Sequence, residues 1–225
     1  MMDFAPFILT LKLATLTTFL LFLVGIPLAY WLAYSKYRIK YVVEALVSMP
    51  LVLPPTVLGF YLLLAFSPEN QIGKFLDQYF DLRLVFTFHG LVLASVIYSL
   101  PFMVQPLRSG FSGIPNAWLD AAKTMGKSSW ATLFRILLPN MKNALITAGV
   151  LTFAHTIGEF GVVLMVGGNI PEETRVISVA IYNEVEGMNY AMANQYSLLL
   201  IAFSFTVLLL TYLINHRKNS MLSYD

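Results

Sequence analysis

The chain has 225 residues, 58% hydrophobic and only 12% charged, whereas a soluble domain carries about 25% charged residues. A formal net charge of +2 is too small to argue for nucleic acid, and zero cysteines exclude a disulfide framework and thiolate metal sites. Lipid is the expected solvent.

Taken in order, the apolar runs predict five membrane spans within one domain covering residues 1–225, since about 20 apolar residues cross a bilayer core. The first span covers about 7–34. Its Lys12 is long enough to snorkel outward. It exceeds a leader's apolar run and lacks a small-residue cleavage site after it, so it is expected to stay attached. A basic loop with Lys36, Arg38 and Lys40 follows. The second span, about 41–66, is interrupted by Met49-Pro50-Leu51-Val52-Leu53-Pro54-Pro55-Thr56. Its prolines remove backbone donors, and broken backbone at membrane depth survives only where protein or a wet cavity satisfies it. The break reads either as a packing kink or as part of a pathway. Residues 67–85 read as a polar loop.

The third span, about 86–107, has Tyr98 and Ser99 as polar points and Pro101 and Pro106 near its end. The fourth, about 140–166, contains His155-Thr156-Ile157-Gly158-Glu159-Phe160-Gly161. Residues 167–194 read as a polar loop, and the fifth span covers about 195–214, with His216, Arg217 and Lys218 beyond it. Cytoplasmic loops hold excess Lys and Arg. Placing loops 35–41 and 108–142 and the tail inside puts ten of the fourteen basic residues there, three, five and two respectively. The N-terminus is then expected outside and the C-terminus in the cytoplasm.

Between spans three and four, Asn116 to Pro139 predicts a helix, a glycine turn and a second helix held against the membrane surface. Asn116 is expected as the N-cap. Leu119, Ala122 and Met125 fall on one face, with Asp120 and Lys123 at i,i+3. Gly126 suits the left-handed residue that ends a helix, and Ser128 or Ser129 caps the next one. Asp120-Ala121-Ala122, Gly126 and Ile136-x-Leu138-Pro139, at this spacing, resemble the coupling motif of bacterial ATP-binding-cassette importer permeases, with Asp120 where the motif usually has Glu. Ala121-x-x-x-x-Gly126-Lys127-Ser128 imitates a phosphate-binding loop, but Ala121 replaces the first glycine and no strand precedes it. ATP hydrolysis is assigned to another subunit.

Inside the membrane, His155 and Glu159 share a helical face, and an intramembrane ionisable pair is a functional candidate. Two ligands on one helix fall short of a metal site, so none is expected. A polar pathway or gate competes with a packed, hydrogen-bonded pair and with an intramembrane hydrolase. Glu159, twenty residues beyond Pro139, lies about 30 Å along a continuous helix. It is expected to be protonated or paired with a donor such as a helix N-terminus or a side chain across a dimer, with Phe160 as an apolar plug.

Gly158-Glu159-Phe160-Gly161 is similar to a segment of the tetrahedral-oxyanion permeases, the molybdate/tungstate and sulfate/thiosulfate importers. Gly168-Asn169-Ile170-Pro171-Glu172-Glu173-Thr174-Arg175 with Ala180-Ile181-Tyr182 looks like the molybdate branch, except that Glu172 stands where that branch usually has Gly. Leu53-Pro54-Pro55-Thr56 and Ser99-Leu100-Pro101-Phe102-Met103-Val104 resemble it too.

The resemblance implies an all-α permease with five transmembrane helices and a cytoplasmic coupling helix in a bacterial inner membrane. A second copy, two cytoplasmic ATPase subunits that hold ATP and magnesium, and a periplasmic or surface-anchored oxyanion-binding protein would be its partners. The expected docking residues are Leu119, Asp120, Ala121, Ala122, Met125, Gly126, Leu138 and Pro139. The expected pathway or gate residues are Pro54, Pro55, Thr56, Ser99, His155, Gly158, Glu159, Phe160 and Gly161. No catalytic residue and no cofactor of the chain's own is expected. A sulfate/thiosulfate permease and a pathway-free structural subunit are the other readings.

Overall fold

The computed structural model describes residues 2–221, and among them all regular secondary structure is helical. Helix α1 (Ala5–Tyr34) is apolar all round and carries Pro6 in its first turn, where a missing N–H costs no intrahelical bond. Helix α2 (Ile39–Ser48) passes through a 3₁₀ turn at Met49–Leu51, and the chain then swings through 111° into α3 (Pro55–Phe66). The expected second span is therefore two helices meeting at an angle rather than one rod. Pro50 cannot donate to the helix, and Pro54, at ψ 136°, leaves helical space just before Pro55 opens α3.

Residues 67–85 are not simply a loop, because α4 (Gln71–Phe80) forms within them. Ile72, Phe75, Leu76, Tyr79 and Phe80 recur at helical spacing, giving one apolar face on a segment too short and polar to register as a span. Asp81, with φ 50°, ends it. Helix α5 (Phe88–Ser112) starts where the Thr87 hydroxyl accepts the Gly90 N–H at 3.2 Å, and it runs on past residue 107 despite Pro101 and Pro106.

Three short segments follow, α6 (Asn116–Thr124), α7 (Ser129–Thr132) and, after a π-helical turn at Leu133–Leu137, α8 (Leu138–Asn140). At Met141 the chain turns by 81° into α9 (Lys142–Gly158). The expected fourth span breaks at Glu159–Phe160 and resumes as α10 (Gly161–Gly167). The stretch expected as a loop at 167–194 contains α11 (Ile177–Glu186), whose Ile177, Val179 and Ala180 are buried. Helix α12 (Tyr190–Met221) starts ahead of the expected residue 195.

Helices α1 and α5 and the segment Tyr190–Leu209 are long and apolar enough to cross a membrane, and counting each bent pair as one span brings the total to five. Helices α1, α5 and α9 form the centre of the bundle, packed around Leu21, Met103, Leu107, Phe111, Leu137 and Ala148. One end gathers Tyr34, Ile114 and Met141, with the Tyr34 hydroxyl donating to the Phe111 carbonyl at 2.8 Å. At the other end the Thr10 hydroxyl accepts the Ile177 N–H at 2.8 Å, tying α11 to the start of α1.

Candidate functional site

Two regions carry the candidate functional residues. The first is the exposed segment from α6 to α8. Pro115, with ψ 135°, precedes the helix, and Asn116 is its first residue with no side-chain cap, so the expected Asn116 cap is displaced by one position. Proline takes that position because its φ is set and the donor it lacks has no partner there. Ala122 is fully buried and Leu119 packs on the central core, but Met125 is 63% exposed, so the expected three-residue apolar face holds only at Leu119 and Ala122. Met125 is the C-cap, where the helix has already begun to turn.

Gly126 takes φ +68°. Around it the Gly126 N–H bonds to the Lys123 carbonyl at 2.9 Å and the Lys127 N–H to the Ala122 carbonyl at 3.0 Å, the paired bonds of a Schellman ending. The Ser128 hydroxyl then accepts the Ala131 N–H at 3.2 Å, so Ser128 rather than Ser129 is the cap. Asp120 and Lys123 form an exposed pair at 3.5 Å, Ala121 and Pro139 are exposed, and Leu138 is half-buried. Trp118, Trp130 and Phe134 are exposed as well, with Trp130 and Phe134 stacked at 5.8 Å. Motif reasoning did not single out these three aromatics, although their periodicity on a short cationic helix pair is a visible signal.

The second region is the meeting of the two breaks. A cavity of about 520 Å³ is lined by Pro55, Thr56, Tyr98, Ala154, His155, Gly158, Glu159, Phe160 and Gly161. Seven of the nine residues expected for the pathway line it; Pro54 sits behind as the residue before α3, and Ser99 lies beneath the wall. Helix α10 lies so close to α3 that a Cβ on Gly161 would stand 2.8 Å from Pro55 Cβ. Glycine is required there by contact rather than by φ.

Glu159 is not on a continuous helix. It leaves α9 with ψ 134° and is only 6% exposed. Its Oε1 accepts the Val162 N–H at 2.8 Å, and its main-chain carbonyl accepts the Ser178 hydroxyl at 2.5 Å. Helix α9 spans 17 residues, about 25 Å, which replaces the continuous-helix distance of the sequence reading. The helix-end donor expected for Glu159 is the first turn of α10. Phe160 packs on Tyr182 with centroids 5.0 Å apart, joining the cavity wall to α11.

His155 is held differently. Its ring stacks on Phe102 at 3.8 Å and lies 4.8 Å from Tyr98. Nδ1 is 3.1 Å from Ser99 Oγ, which is 3.1 Å from Thr156 Oγ1, whose hydroxyl donates to the Thr152 carbonyl at 2.9 Å. The Ser99–His155 contact does not make a hydrolytic pair, because Ser99 is 1% exposed and no substrate carbonyl reaches its oxygen. Two further polar contacts, an ion pair of Glu44 with Arg108 and a 2.7 Å bond from Gln105 to Ser48, fasten α2 to α5.

A bundle of apolar helices with two broken elements around a mostly apolar cavity that holds His155 and Glu159, and an exposed helical hairpin at one end, is an arrangement that suits a membrane permease. The family model described as binding-protein-dependent transport system inner membrane component matches residues 25–220, and the chain belongs to that family. It is 52% identical over 211 residues to the molybdenum transport system permease protein ModB of Azotobacter vinelandii, covering 93% of each chain. It is 34% identical to the ModB of Escherichia coli over 80% of this chain and 78% of that one. The sulfate transport system permease CysT of Escherichia coli is 28% identical over 82% of this chain and 66% of that one. Among solved structures, an inward-facing MetNI methionine ABC transporter chain aligns with TM-score 0.70 and 18% identity, covering 92% of this chain and 91% of that one, a likeness of fold.

Proposed function

We propose that this chain is the membrane-spanning subunit of an ATP-driven importer that carries molybdate, and tungstate with it, into the cytoplasm. The observation that carries the substrate is the 52% identity over 93% of both chains to a molybdenum permease, against 28% for a sulfate permease. The cavity at the two breaks supports the pathway, since broken backbone at membrane depth lines cavities through which polar solutes move.

Two copies form the pathway about a two-fold axis. Two ATPase subunits, which hold the ATP and magnesium, dock on the segment 116–139 through Leu119, Asp120, Ala121, Ala122, Met125, Gly126, Leu138 and Pro139. An oxyanion-binding protein delivers the anion from the other side. The basic residues around 36–40 and 108–142 favour the cytoplasm for that end and the outside for the N-terminus. ATP closes the ATPase pair, the docked hairpins move with it, and the two permease copies rock between outward and inward openings. No covalent step falls to this chain.

Reconstituting the permease with its ATPase and binding protein tests the reading. Molybdate-loaded binding protein should stimulate ATP hydrolysis several-fold, and sulfate-loaded binding protein should not. Equal stimulation by both would move the assignment to the sulfate branch.

A further inference from the structure

Hydrogen-bond directions around His155 have a consequence for the pathway. A carbonyl oxygen can only accept, so the 2.9 Å contact at Thr152 commits the Thr156 proton. Thr156 Oγ1 then serves Ser99 as acceptor, which commits the single Ser99 proton in turn. What remains for Ser99 toward the imidazole is to accept, so Nδ1 carries a proton. In the neutral ring Nε2 is therefore bare. It makes no hydrogen bond to any described residue, and His155 lines the cavity.

A bare nitrogen is an acceptor, and every oxygen of a tetrahedral oxyanion is an acceptor too. The two repel unless a proton lies between them. We infer that His155 is the pathway side chain that meets the transported oxyanion, and that it does so with a proton taken up on Nε2 as the anion arrives. This rests on the oxyanion reading above. The proton comes from water, binds the Nε2 lone pair, and leaves to water when the anion departs. The anion supplies the counter-charge that the aromatic walls of Phe102 and Tyr98 lack. Ser99 is then a positioning residue, since it holds the tautomer.

The other titratable groups near the ring leave this role to His155. Just past the end of α9 the Glu159 carboxyl lines the same cavity and accepts the Val162 N–H, while Lys142 stands at the opposite end of α9. Helix α5 presents Tyr98, its His89 lies in the first turn, and its Arg108 is paired with Glu44. On α1 Lys12 lies over Phe88, and Tyr30 and Tyr34 pack edge-to-face with Phe111 at the far end. Helix α11 brings Tyr182 against Phe160, with its hydroxyl donating to Glu186. Its Glu184 accepts from Asn189, and on α12 Tyr190 is exposed and Tyr196 packs in the cluster around Ile177.

The test is ATP-driven molybdate uptake by the reconstituted complex across neutral pH, for the wild type, His155→Gln and Ser99→Ala. Glutamine offers an N–H donor that does not titrate. The ratio of wild-type to His155→Gln uptake should fall as pH rises, approaching ten-fold per pH unit for one proton taken up. Ser99→Ala frees the ring to place its proton on Nε2, and its profile should flatten. Parallel profiles for wild type and His155→Gln with uptake intact overturn the inference alone. No molybdate uptake by the wild type overturns the substrate reading and the inference with it.

A measurement on the assembled complex needs no change at His155. His89→Gln with His216→Gln leaves one of this chain's three histidines, and with ¹⁵N-histidine in the permease alone the resonances report that ring. The resting complex should show protonated Nδ1 and bare Nε2, and molybdate should protonate both. A neutral ring with its proton on Nε2 at rest overturns the inference.

Discussion

The exposed hairpin at 116–139 and the buried break around Glu159 solve opposite problems. At the hairpin the backbone is closed on itself by the Gly126 ending, and the side chains of Trp118, Met125, Trp130 and Phe134 are left free toward the surroundings. At the break the backbone is open, and side chains close it: Glu159 on Val162, Ser178 on the Glu159 carbonyl. The hairpin, proposed above as the docking segment, satisfies its own backbone and leaves its side chains available. A region that must hold its own shape within the membrane spends its side chains.

The sharpest way to break this comparison is at Gly126. A Cβ there meets nothing within 4 Å, so steric fit is not the obstacle; φ +68° is. Gly126→Val places a β-branched residue in left-handed space at a cost of about 1–3 kcal/mol. It should abolish stimulation of ATP hydrolysis by the loaded binding protein while membrane insertion persists. Gly126→Asn, which tolerates that conformation, should keep most of the stimulation. Equal behaviour of the two variants would show that the left-handed turn is not what couples.

At the break, Glu159→Ala leaves a buried N–H without its acceptor and should cost about 1–3 kcal/mol, read as a lowered Tm. It should raise basal ATP hydrolysis or leak. Glu159→Gln keeps an acceptor and removes charge, so its Tm should stay closer to wild type, while a gating charge should still register as raised basal hydrolysis. If Glu159→Gln matches wild type in basal hydrolysis, stimulation and uptake, the charge has no gating role.

A smaller effect is expected at Glu172, which takes φ +63°. Glu172→Gly relieves that strain and loses part of the gain to chain entropy, for a net stabilisation of about 0.5–1 kcal/mol. Thermal unfolding checks it. The smallest belongs to the Asp120–Lys123 pair, both more than 70% exposed. Lys123→Ala should change stability by less than about 0.5 kcal/mol. A large loss of Tm there would mean that the hairpin depends on its side chains after all.

The same division explains what was legible in the sequence. Gly126 and the serine cap follow from local backbone requirements, and both stand where the spacing puts them. The spans were visible as apolar runs, but the 111° turn at Pro54 was not, because a proline break fixes no angle by itself. Helices α4 and α11 were missed because short helices that alternate apolar and polar residues look like polar loops to a hydropathy reading. His155 and Glu159 could be nominated as ionisable side chains in an apolar run. The helix-end donor to the Glu159 carboxylate was foreseeable in kind, but the distant partners were not: Ser99 lies 56 residues before His155, and Ser178 lies 19 residues after Glu159. Glu172 stood out by resemblance as a departure from an expected glycine, and its φ of +63° is a conformation that glycine adopts without strain.

The most direct test of the whole account is uptake of labelled molybdate into proteoliposomes holding the permease, its ATPase and its binding protein, with tungstate or sulfate as competitor. The account predicts uptake that requires ATP and the binding protein, competed by tungstate and poorly by sulfate, because molybdate and tungstate share charge, shape and size. Uptake that is independent of ATP, or competed equally by sulfate, would contradict it.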